Sequence, residues 1–309
     1  MTAYLNSGYD AVKAVSPASK VITHLTHGGG IGHYEWFFEN FLTKCGGKTD
    51  VIGLSYYPYW TGGNKIENVA FNLCNMASKY GKEVMICETG EQNTKPTETY
   101  DLLRKEINAM KNVPNNKGLG VFYWEPECHP TYSLDGYTLG ATEEVSNNKL
   151  RFTNALDAFK QGCSQFSSEV SFELYNCNSQ KCLSTVGGSS ENEVAVEQYA
   201  YDRWDSQKWI FEDAGNGYFY IKNKNSNKVL EVPGFSTQAG VACQQYEKND
   251  GWNQMWSIET TSDGKYMIKN RWSQLYLGIN SASVSDGALC AQVENENTSN
   301  VKWYILVTE

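Results

Sequence analysis

Gly81-Lys82-Glu83-Val84-Met85-Ile86-Cys87-Glu88-Thr89-Gly90 (GKEVMICETG) decides how the first half of this chain is read. A polar start, an apolar run and a glycine stop describe a strand buried on both faces, as in parallel sheets covered by helices. A carboxylate, Glu88, arrives where the run ends. The neighbouring segments have the same grammar. KVITHLTH (20–27), DVIGLSYYPYW (50–60) and GLGVFYWEPE (118–127) read as strands. LNSGYDAVKAVS (5–16), EWFFENFLTKCG (35–46), IENVAFNLCNMASKYG (66–81), TETYDLLRKEINAMKNV (97–113) and LRFTNALDAFKQ (150–161) read as helices. This alternation predicts an α/β domain of four βα units.

Beyond residue 170 the helical period vanishes. Asn, Ser and Gly become frequent, and a 47-residue repeat emerges: Trp209, Trp256 and Trp303; Leu183, Leu230 and Leu277; Gln198, Gln245 and Gln292. Three equal β units predict a closed pseudo-threefold body, the β-trefoil. Cys243 and Cys290 share one repeat position with Val196. A slot that takes valine reads as core packing, so both are expected as buried thiols.

The 309 residues suit two domains, expected at 1–161 and 171–309 with a linker at 162–170. Aromatics at 13% and charged residues at 20% fit a folded protein that handles ligands. A net charge of −9 argues against nucleic acid as partner. No apolar run approaches the ~18 residues of a membrane span. No signal peptide precedes Tyr4, so localisation is not read from a targeting segment. Nine cysteines leave at least one without an internal partner, and Cys177 and Cys182 lie close enough in sequence to close a small loop.

In (β/α) barrels, chemistry sits at the C-terminal ends of the strands. Here those ends carry His24 and His27, then Tyr56-Tyr57-Pro58-Tyr59-Trp60, then Glu88, then Trp124-Glu125. Aromatic faces and carboxylates at one rim suit a sugar site. Tyr57, or Tyr59 and Trp60 in the loop, would meet the sugar, with Trp124 as a platform or a core side chain. Glu125 would orient substrate or Glu88, or bond a neighbouring strand. A zinc site at His24, His27 and His33 matches no familiar spacing. Gly28-Gly29-Gly30 lacks the following Lys-Ser/Thr of a phosphate cradle and reads as a turn.

SYYPYW after one strand, ETG at the next tip, YWEPE at the last and THLTHGG before them resemble glycoside hydrolase family 53, the endo-β-1,4-galactanases. The resemblance covers about residues 4–160. It implies part of a (β/α)8 TIM barrel, about strands five to eight, in a secreted enzyme of plant-polysaccharide degradation. It also implies that Glu88 is the nucleophile of a retaining hydrolysis. By position at the rim, His24 would bond a sugar hydroxyl or Glu88, and His24, Tyr57, Trp60, Trp124 and Glu125 are the expected substrate contacts. The family's acid/base follows an Asn on an earlier strand. The Asn-Glu pairs here, Asn192-Glu193 and Asn295-Glu296, fall in the repeats, so the acid/base is expected to be absent from this chain. No cofactor is expected; calcium near His129 and Asp135 is the one metal that relatives suggest, though the dense acidic loop it wants is missing. Open edges at KVITHL and GVFYW would invite self-association.

Gln207-Lys208-Trp209 and Gln254-Met255-Trp256 resemble the QxW endings of ricin-type lectins, carbohydrate-binding family 13. The third repeat departs, with Val301-Lys302-Trp303. That family places an acid, an aromatic and a later amide around the sugar. Only the second repeat keeps the acid, which implies one galactose-leaning site at Glu231, Gln245, Tyr246 and Asn253. The alternative for the trefoil is a scaffold with no binding left; the alternative for the whole chain is a catalytically inactive, lectin-like binder or fragment.

Overall fold

Four parallel strands form the sheet of the first unit: β1 (Ile22–Leu25), β2 (Val51–Tyr56), β3 (Glu83–Thr89) and β4 (Gly118–Val121), in that spatial order. This is a computed structural model. It describes residues 1–61, 65–133, 135–146, 149–160, 162 and 165–308. The chain divides into two units, Met1–Gln165 and Phe166–Glu309. Gln161, Cys163 and Ser164, at or in the stretch read as linker, lie outside the described residues. Phe166, also in that stretch, packs its ring against Phe172, Phe211, Phe219 and Tyr266 of the second unit.

The helices are α1 (Thr2–Val15), α2 (His33–Phe38), α3 (Pro58–Thr61), α4 (Ile66–Tyr80) and α5 (Pro96–Lys111). In α4 the buried residues Ile66, Val69, Ala70, Leu73, Cys74 and Ala77 fall on one face at the helical period. Gly81, at φ 64°, ends α4 in the left-handed conformation that glycine adopts without a Cβ clash. Val84 and Ile86, both fully buried, form part of the core of this unit. β1 and β4 each pair with one strand among the described residues and so form the sheet's edges.

Three expectations fail here. The strand expected over 50–60 ends at Tyr56, and Pro58, whose ring presets a helical φ, opens α3. The strand expected over 118–127 ends at Val121, and Trp124 and Glu125 follow in a turn. The helix expected over 150–161 is instead β6 (Lys149–Phe152), paired antiparallel with β5 (Thr142–Ser146), then a 3₁₀ turn at Asn154–Phe159. Thr153 is the reason: its hydroxyl accepts the Ala155 N–H and starts a new helical segment in mid-pattern.

The second unit is a β-trefoil of twelve strands, and the repeat residues build it. Each Trp indole N–H donates to the Leu carbonyl of its own repeat: Trp209 to Leu183 at 3.0 Å, Trp256 to Leu230 at 3.0 Å, Trp303 to Leu277 at 2.9 Å. Each Gln side-chain amide reaches the next repeat round the axis. Gln198 donates to Ser283 O, Gln245 to Ser189 O and Gln292 to Ser236 O. All six side chains are fully buried. Cys243 and Cys290 are free and fully buried. Cys177 and Cys182 are not bonded to each other: Cys182 points into the core with its thiol on Gln207 O at 3.6 Å, and Cys177 remains partly exposed.

Candidate active site

β3 does not alternate cleanly. Ile86 pairs with Leu54, but Ser55 pairs with Glu88, so Cys87 is an extra residue opposite β2. Such a bulge bends a strand and re-aims its side chains. Strict alternation would put Glu88 with Val84 and Ile86 on the helix-covered face. The bulge turns it to the face of Ser55 and His24, and returns Thr89 toward α5.

There, Ser55 Oγ donates to Glu88 Oε2 at 3.0 Å. His24 Nε2 lies 2.7 Å from the same Oγ. A hydroxyl has one proton. With it given to Glu88, His24 must donate from Nε2, which orders the chain His24 to Ser55 to Glu88. His24 Nδ1 is 3.9 Å from Glu88 Oε1, so the imidazole also lies beside the carboxylate. The Glu88 side chain is 28% exposed, open enough to meet a ligand. Gly28 closes this rim: its N–H donates to Ser55 O at 2.7 Å, and a Cβ there would meet that oxygen at 2.8 Å.

Tyr57 is buried and packs against Trp60 at 4.6 Å between ring centroids, the planes tilted by 49°. Trp60 is exposed and lies 6.2 Å from Tyr137. Burial first, then the neighbouring Tyr137 and Glu88, hold the Tyr57 phenol far above its ordinary range. Tyr137 is pushed up to about 12, mainly by burial. Trp124 is exposed, tied by its backbone N–H to Thr89 O at 3.0 Å. Glu125 is exposed at φ 47°, and its carboxylate accepts from the Cys128 thiol at 3.4 Å, so it bonds within its own turn.

Behind the tip sits Glu106 of α5, fully buried. Thr89 Oγ1 donates to its Oε1 at 2.6 Å, and Oε2 has no partner. Burial pushes this carboxyl up to about 8, so it is neutral at pH 7. Ser55, Tyr137 and Glu106 were not assigned roles from sequence. Glu106 reads there as one more acid on a charged helix.

His129 Nδ1 accepts the Thr131 N–H, and Asp135 Oδ1 accepts the Tyr137 N–H. Among the described residues, no group of three or more His, Cys, Asp or Glu is arranged to hold a metal.

A model of Glycosyl hydrolase family 53 matches residues 1–159. The chain belongs to glycosyl hydrolase family 53. A second model, the ricin-type beta-trefoil lectin domain-like family, matches 163–246 and 252–309. The family 53 portion is 30% identical over 172 residues to the endo-beta-1,4-galactanase of Bacillus subtilis (strain 168), covering 48% of this chain and 37% of that one. It is 28% identical over 130 residues to the arabinogalactan endo-beta-1,4-galactanase of Humicola insolens, covering 36% and 39%. This family 53 chain thus spans about two-fifths of the length of those curated relatives. Among solved structures, an exo-beta-1,3-galactanase from Clostridium thermocellum matches at TM-score 0.45 and 27% identity, covering 54% of this chain and 37% of that one. The designed three-fold symmetric protein ThreeFoil matches at TM-score 0.44 and 32% identity, covering 44% and 97%.

In the second repeat, Glu231 is nearly buried. Its Oε1 accepts from Gln244 and its Oε2 from Gln254, at 2.8 and 2.7 Å. Gln245, expected at the sugar, is fully buried and bonded to Ser226, Ser189 and Glu191. It belongs to the repeat-joining set, and Gln244 holds the place beside Glu231. Tyr246 is half-buried, and Asn253 is buried with its amide on Val232 O at 2.8 Å.

Proposed function

We propose that this chain is the Glu88-bearing part of a secreted, retaining endo-β-1,4-galactanase, acting on galactan and type I arabinogalactan, with its trefoil as a carbohydrate-binding module. The observation that carries this reading is the His24–Ser55–Glu88 chain at the C-terminal tip of a bulged strand, in a family 53 domain. A nucleophilic carboxylate must be held in one direction, and a hydroxyl donor with an imidazole behind it does so. Trp60 and Trp124, both exposed, supply ring faces for the galactose units beside the cleavage point, and buried Tyr57 supports Trp60 from behind. The galactanase names of the relatives supply the substrate class. A tethered module raises the enzyme's local concentration on polymer.

Retention also needs a general acid/base carboxyl ~5–5.5 Å from the nucleophile. We take that group to come from a polypeptide segment outside these 309 residues. A segment that completes the sheet at the β1 or β4 edge would bring it; a second copy of this chain would cover the edges without supplying it. A dinitrophenyl β-galactobioside tests this, because its leaving group departs without protonation. The chain should release one burst of dinitrophenolate per molecule, Glu88→Gln should release none, and native galactan should be left uncut. A burst that survives Glu88→Gln would refute the assignment.

A further inference from the structure

The trefoil places three equivalent left-handed turns at Gly187-Gly188, Gly234-Phe235 and Ser281-Ala282. In the first and third repeats each turn borders an open cleft, of about 430 and 460 Å³. Gly188, Asp205 and Asn225 line the first, and Ala282, Ser299 and Asn178 the third. A shift by one repeat length, or by two for Asn178, maps both sets onto Phe235, Trp252 and Trp272. The fold therefore does not need aromatic side chains at these positions, yet the corner at the second turn has three, exposed by 46%, 50% and 43%.

They are held stiffly. Phe235 sits at φ 51°, a conformation that suits the glycine of the first repeat and strains a phenylalanine. Trp272 Nε1–H donates to Phe235 O at 2.7 Å, and the two rings meet edge to face at 5.3 Å and 86°. A Cβ on Gly251 would lie 3.2 Å from Phe235 Cζ, so this ring abuts the turn that carries Trp252. The Arg271 guanidinium lies 4.1 Å from the Trp252 ring centroid and 4.7 Å from that of Tyr218. With its N–H bonded to Phe235, Trp272 offers a ring face and no donor.

We propose that Phe235, Trp252 and Trp272 form a stacking platform for the pyranose rings of a β-linked galactan strand. It is a binding surface built from side chains other than the Glu231–Gln244 pair. Pyranose rings present apolar C–H faces, and prefixed aromatic rings receive them at little cost in side-chain entropy. Three half-exposed rings offer roughly 300 Å², against the ~800 Å² per partner of a stable protein interface, which favours a sugar strand over a second copy of the chain. The platform rests on the carbohydrate-binding reading of the trefoil.

The test imports the first cleft's own residues, which this fold already tolerates: Phe235→Gly, Trp252→Asp and Trp272→Asn, singly and together. The full chain is run in native gels cast with β-1,4-galactan, and its melting temperature and sedimentation are followed. Each single change should weaken retention by galactan about tenfold, and the triple change should abolish it, with the fold intact. Unchanged retention in the triple variant, with retention lost in Glu231→Ala, overturns the platform and leaves the binding module standing. A wild-type chain that galactan does not retain overturns both. A wild-type dimer that dissociates in the triple variant, with retention unchanged, makes the patch a self-contact and overturns the platform.

Discussion

Ser55 gives its one proton to Glu88, so its removal isolates a single donor. Ser55→Ala leaves Oε2 without that charge-assisted bond, which contributes about 1.5–3 kcal/mol in comparable settings. We expect the rate of covalent labelling at Glu88 to fall by about tenfold or more, measured at a temperature where the variant is still folded. Equal labelling in Ser55→Ala would mean that the hydroxyl does not act on the nucleophile. Glu88 itself was legible from sequence, because an acid that closes an apolar strand is conspicuous and the ETG motif resembles one family. The role of Ser55 was not, because nothing in the run Val51–Tyr56 marks which partner its proton meets. Gln245 misled for a related reason. Its 47-residue repeat marked it as common to all three units, the signature of a scaffold residue, and Gln244 beside it breaks that repeat.

The bulge at Cys87 is what delivers Glu88 to the Ser55 face, and Thr89–Glu106 anchors its far side. The buried Glu106 makes a pH prediction. Its carboxyl ionises near 4.5 in the unfolded chain and near 8 in the folded one. Between those values the folded state binds more protons, so stability falls as pH rises from about 4.5 to about 8. Glu106→Gln is neutral throughout and should remove that slope. Urea unfolding from pH 5 to 8.5 should show the variant gaining on the wild type by a few kcal/mol, while a parallel pair of curves would mean that Glu106 is ionised in the fold. Element types were mostly legible, because buried strands and amphipathic helices differ in period. The bulge was not, because one extra residue leaves composition and length almost unchanged. The β5–β6 hairpin was lost to a helical pattern that Thr153 interrupts.

At the scale of the whole chain, the three Trp residues occupy matching places in the trefoil. Trp209→Phe, Trp256→Phe and Trp303→Phe each remove the indole N–H that donates to one buried Leu carbonyl. Each should cost about 1–3 kcal/mol, similar across the three, and should move only the trefoil's unfolding transition. A large spread in calorimetry would show that the repeats do not share the load. The two-part organisation was legible because a 47-residue repeat survives in sequence as spacing, whereas the aromatic corner at Phe235 is invisible until the three turns are superposed. One measurement bears most directly on the assignment of Glu88. The chain is incubated with a 2-deoxy-2-fluoro galactobioside bearing a dinitrophenyl leaving group, digested, and its peptides mapped by mass. We expect a single fluoroglycosyl adduct on the peptide that contains Glu88, absent in Glu88→Gln. An adduct on Glu125, or none on a chain that still binds galactan, would contradict it.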